Sequence, residues 1–91
     1  MKLRDETNQA RLDFIWIDLD VCLTFAAIVE SEYKMGNREH AERTLASAEK
    51  GYSDTLRIFS QTKGLTREIE KNFQSRFKHV RERLDGLSKF R

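Results

Sequence analysis

The sequence predicts an all-α protein, an elongated antiparallel three-helix bundle, and three observations predict it. The 91 residues include no proline and only four glycines, so the chain lacks the frequent punctuation that an all-β fold requires. Apolar residues recur at intervals of three and four over long stretches, the period of one helical face. Gly36 and Gly64 each close such a stretch, at the place where a left-handed residue ends a helix. With 38% hydrophobic and 35% charged residues, the chain is too apolar for disorder and too charged for a membrane protein.

Residues 1–7 are charged and aperiodic and read as a frayed lead-in. The first helix is expected over about residues 8–35, with Thr7 or Asn8 as its N-cap. Its centre, Phe14 to Val29, is apolar on two sides. Leu12, Ile15, Trp16, Leu19, Cys22, Leu23, Ala26 and Tyr33 form one stripe; Phe14, Ile17, Val21, Phe25, Ile28 and Met35 form a second, nearly opposite. An ordinary surface helix buries one stripe, so two stripes predict burial on both sides. The run does not read as a membrane span: it is shorter than the ~20 residues a bilayer needs and contains charges, namely Asp18 and Asp20.

Asn37 is placed to cap a second helix over about 38–62, whose stripe is Ala41, Leu45, Ala48, Tyr52, Leu56 and Phe59. Its two alanines allow the first helix to come close across a tight turn. Gly51 lies mid-helix, where glycine costs about 1 kcal/mol relative to alanine. Close packing is its expected reason, a break in the helix the alternative. Lys63-Gly64 repeats the stop signal, and the third helix, about 66–88, carries the apolar face Leu65, Ile69, Phe73, Phe77, Val80, Leu84 and Leu87. Residues 1–91 thus form a single helical domain.

A closed triangle of three helices leaves Phe14, Ile17, Val21, Phe25 and Ile28 partly in water, a larger patch than monomers usually expose. These five residues are the expected self-association or partner stripe. A homo-oligomer, a dimer above all, covers them by pairing helix 1 with its symmetry mate. The surface of helices 2 and 3 then stays free for another protein.

Chemistry is sparse. A Glu-x-x-His iron motif needs Glu at position 37 or 76, where Asn37 and Arg76 stand. His40 and His79 have no second histidine or cysteine at ligand spacing. There is no phosphate-binding glycine loop and no nucleophile beside a base. Asp18 and Asp20 would point about 200° apart on a helix and read as solubilising edges. Cys22, the only cysteine, reads as a small buried hydrophobe. No catalytic residue, metal site or cofactor is expected, and the chain reads as a non-enzymatic interaction or scaffold module.

The charge is uneven: residues 1–61 hold eight Lys/Arg and eleven Asp/Glu, and residues 62–91 nine Lys/Arg and four Asp/Glu. Arg67, Lys71, Lys78, Arg81 and Lys89 share one sector of helix 3, so the competing reading is a nucleic-acid-binding accessory protein that tracks phosphates with this face. Glu82 and Asp85 interrupt the sector, and no aromatic lies among the cations to stack bases. The N-terminus MKLRDETNQA lacks the apolar core of a signal peptide, so a cytoplasmic location and no membrane association are expected.

Around the first turn, Phe25, Ile28, Gly36, Asn37, Ala41, Leu45 and Ala48 stand at the spacing of one tetratricopeptide (TPR) repeat, which residues 25–48 resemble. Phe25 and Ile28 take the places of that repeat's tryptophan and leucine. Val29, Glu32 and Ser53 depart from its small residue, tyrosine and proline. The resemblance implies a helical hairpin and a role in protein interaction, and it assigns no ligand-binding residue.

Overall fold

A computed structural model describes residues 2–90, with side chains from Asn8 to Phe90. It contains α1 (Lys2–Lys34), α2 (Arg38–Ser60) and α3 (Arg67–Asp85), followed by a 3-10 turn, Gly86–Phe90. The expected all-α three-helix bundle is present, 52 × 20 × 16 Å in extent. The ends differ from expectation. Helix α1 begins at Lys2, ahead of the expected start near residue 8; α2 ends at Ser60, short of residue 62; and α3 tightens into the 3-10 turn where a continuous helix to residue 88 was expected.

Both glycines take the expected conformation, but only Gly36 closes its helix; α2 already ends at Ser60, with Gln61 as its right-handed cap, and Gly64 turns the connection that follows. Gly36 has φ +85° and Gly64 φ +77°, a left-handed conformation that glycine adopts without a Cβ clash. At the first turn Asn37 N–H donates to the Glu32 carbonyl at 2.8 Å and Gly36 N–H to Tyr33 at 3.1 Å, the paired bonds that satisfy a helix's last carbonyls. The Asn37 side chain makes no capping bond; only its carbonyl serves α2, accepting from Ala41 N–H at 2.9 Å. At α3 the cap is Thr66, whose hydroxyl oxygen accepts from Ile69 N–H at 3.1 Å.

The core is a seam of residues alternating at three and four. On α1 it runs Leu12, Ile15, Leu19, Cys22, Ala26 and Val29, all buried; on α2, Ala41, Leu45, Ala48 and Thr55 are buried, with half-buried Tyr52 and Phe59 in the same series. A 3.5-residue period is the spacing that keeps both seams facing one another along an antiparallel pair. Alanines at 41 and 48, buried to 0–1% exposure, set the close approach. This strict alternation puts Thr55 in the seam and leaves Leu56 exposed, correcting the stripe read from apolarity alone. The Thr55 hydroxyl is satisfied by donating to the Asp18 carboxylate.

Helix α3 closes the triangle with Phe73, Phe77, Val80 and Leu84, and the 3-10 turn adds Leu87. Trp16 meets Phe73 edge-on at 5.2 Å, Phe59 stacks on Phe73 at 5.3 Å, and Tyr33 stacks on Phe90 at 5.5 Å. These contacts run in step, so α3 lies parallel to α1 and antiparallel to α2. Gly51 does not break α2. A Cβ there would stand 3.8 Å from Cys22 Sγ, ordinary contact, so close packing does not demand glycine either.

Candidate interaction surface

The far side of α1 carries a second row at the same alternation: Ala10, Phe14, Ile17, Val21, Thr24, Ile28, Ser31 and Met35, every one exposed. Phe14 is 55% and Ile17 61% accessible, and Met35 reaches 68%. Two 3.5-residue series on one helix, displaced by two residues, leave one apolar face inside the bundle and one outside it. Burial on both sides of α1 is therefore not achieved within the chain. Phe25 departs from the expected stripe: it is half-buried and packs against the core, and Thr24 occupies the corresponding place in the outer row.

Acidic residues flank this row, and the bundle uses most of them. Asp20 pairs with Arg76, whose guanidinium also lies 5.1 Å from the Trp16 ring centroid. Asp18 accepts from Thr55. Glu32, only 6% exposed, pairs with His40 and accepts from the Thr44 hydroxyl at 3.4 Å. Glu30 is bound at 3.3 Å by both Lys34 and Arg83. The hydrogen bond and charge of Lys34, with Arg83 adding, hold its carboxyl below the usual carboxylate range. Asp20, expected only as a solubilising edge, thus forms an arginine pair within the chain.

The cations expected to form one face of α3 divide. Arg67, Lys71 and Lys78 are exposed on its outer side. Lys89 is exposed too, its ammonium 5.2 Å from the Phe90 ring centroid. Arg81 is turned inward. It donates to Glu49 at 2.8 Å and to Asp85 at 2.9 Å, and sits 5.0 Å from the Tyr52 ring centroid. The Glu49 hydrogen bond leads in raising its pKa further above the ordinary arginine value. A guanidinium so occupied ties α2 to α3 and interrupts the basic row at its middle.

The other reactive side chains stand apart from this surface or from one another among the described residues. Burial, with Asp18 and Glu49 nearby, pushes the Cys22 thiol up to about 11, so the nucleophilic thiolate is scarce. His79 is exposed. Among the described residues no three His, Cys, Asp or Glu side chains are grouped to hold a metal ion, and no helix is long and apolar enough to cross a membrane. The Glu32–His40–Thr44 cluster and the buried Thr55 were missed in the sequence. The unbroken 4–3 alternation from Ala41 was the signal that placed Thr55, whereas nothing in the spacing marks Glu32 as buried.

Comparison with protein families, with curated proteins and with solved structures finds no match for the chain.

Proposed function

We propose that the chain is a non-enzymatic helical interaction module that self-associates through the outer row of α1. The observation that supports this is the regular exposure of Phe14, Ile17, Val21 and Ile28 at coiled-coil spacing. Scattered exposed apolar residues are ordinary on a soluble protein, but a contiguous row along one helix marks an interaction surface. A 3.5-residue period is also the spacing that lets one helix engage another over several turns. The small-residue hairpin of residues 25–48, with its TPR-like pattern, accords with a role in protein interaction, and the outer surfaces of α2 and α3 remain for a second protein.

The test is molar mass by light scattering during size exclusion across a concentration series. A mass near twice 10.8 kDa is expected. A monomer at every concentration refutes self-association.

A further inference from the structure

The charges and side-chain sizes along the row specify how two copies meet. Resting on the self-association proposed above, we infer that α1 pairs antiparallel with α1 of a second copy, with Val21 facing Thr24 across the two-fold axis. In this register Ile17 lies opposite Ile28, Phe14 opposite Ser31 and Met35 opposite Ala10, each pairing occurring twice. Toward the ends of the row large side chains thereby meet small ones, Phe14 with Ser31 and Met35 with Ala10, the arrangement that fills a helix interface without voids or overlap.

The flanking positions of such a pair decide orientation through their charges. Asp13 of one copy meets Lys34 of the other, and both are exposed in the protomer. Arg11 approaches Glu32 as well; Glu32 is buried against His40, whereas Lys34, though it contacts Glu30 of its own chain, is exposed and free to turn toward Asp13, so Asp13–Lys34 is the discriminating pair. Other arrangements are worse. Sliding one heptad toward the N-termini sets Asp18 against Asp18 and Asp20 against Asp20. Sliding one heptad the other way brings Asp18 beside Glu32, a repulsion that offsets the approach of Asp20 to Lys34. A parallel pair sets Asp13 beside Asp18, puts Phe14 on Phe14, and leaves Ser31 facing Ser31. Like charges across an interface suppress an alignment, and of these four arrangements only the register centred between Val21 and Thr24 avoids them.

Disulfide trapping tests the inference. In a Cys22→Ala background, Ile17→Cys and Ile28→Cys chains, one carrying a mass tag, are mixed and oxidised, while each is also oxidised alone. Position 17 of one copy lies eleven residues along from position 17 of the other, about 16 Å at the helical rise, far outside the roughly 4.4–6.8 Å Cα separation of a disulfide. The expected result is a mixed disulfide in the mixture and little homodisulfide in either variant alone. Rapid homodisulfides from each variant alone mean a parallel pair. A dimeric mass with no trapping in any sample means that another face or register is used. Either overturns the inference and leaves self-association standing, whereas a monomeric wild type removes both. Should the isoleucine variants themselves prove monomeric, Ala10→Cys with Met35→Cys repeats the test at the ends of the row, with the same outcomes.

Discussion

Thr55 of α2 is fully buried, and its hydroxyl donates to the carboxylate of Asp18 on α1. The pair joins the two longest helices toward one end of their seam, between Tyr52 and Phe59 on α2 and beside Leu19 on α1. Replacing Thr55 by valine keeps the shape and removes the donor, leaving a half-buried carboxylate without its partner. The expected cost is about 1–3 kcal/mol, read as a lower urea midpoint at unchanged slope. The double variant Thr55→Val with Asp18→Leu is expected to recover most of that loss, because removing both polar groups leaves neither unsatisfied. An unchanged midpoint in Thr55→Val alone would mean that the hydrogen bond contributes nothing net.

Gly51→Ala is expected to stabilise the protein. The helix is continuous there and the added methyl would meet Cys22 Sγ at 3.8 Å, while alanine gains roughly 0.5–1 kcal/mol over glycine inside a helix. For a chain of this size that corresponds to a rise of several degrees in Tm. A fall in Tm would show that the α1 and α2 backbones approach more closely at this level than a methyl group tolerates.

Cys22 links burial to alkaline stability. Its folded pKa, about 11, lies above the ordinary thiol value of 9.0, so between these values the folded chain holds a proton that the unfolded chain has released. Stability from this group is therefore complete below about pH 9 and declines as pH rises toward 11. Cys22→Ala is expected to flatten that decline when urea midpoints are compared from pH 8 to 11. At pH 8 the native thiol should react with a disulfide reagent far more slowly than the urea-unfolded chain; equal rates would place Cys22 at the surface.

The fold was legible because its signals are local and redundant. Gly36 ends α1 and Gly64 turns the chain between α2 and α3 through a backbone conformation other residues avoid, and three apolar faces at helical spacing leave few ways to arrange the chain. Thr55 and Leu56 show where that legibility stops. Apolarity favours Leu56 of the two neighbours, but the 4–3 alternation of the packed pair holds position 55 in the seam, and Asp18 supplies the partner that makes a threonine tolerable there. Arg81 is a similar case. Its sector on α3 was evident from spacing, whereas its capture by Glu49 and Tyr52 depends on how α2 and α3 are set against each other. The outer row of α1 was visible in outline, with Phe25 included because a spacing of four also fits a helix. Only the packed bundle separates Phe25, turned toward the core, from Thr24, turned away.

That separation yields a paired prediction on adjacent turns of one helix. Val21 is exposed in the protomer, and Phe25 is half-buried against the core. Glutamate at position 21 puts a charge on the outer row and leaves the bundle untouched, so Val21→Glu should run as a monomer with wild-type helical content and an unfolding midpoint close to that of the diluted wild type. Phe25→Glu removes a packed ring and sets an unpaired carboxylate near the seam, where losing the apolar contacts alone costs several kcal/mol for a fully buried ring and less for this one. It should lower Tm at protein concentrations where the wild type is already monomeric. Circular dichroism melts together with light scattering distinguish the two effects. A Val21→Glu protein that unfolds early would place Val21 in the core, and one that stays dimeric would move the interface off this face of α1.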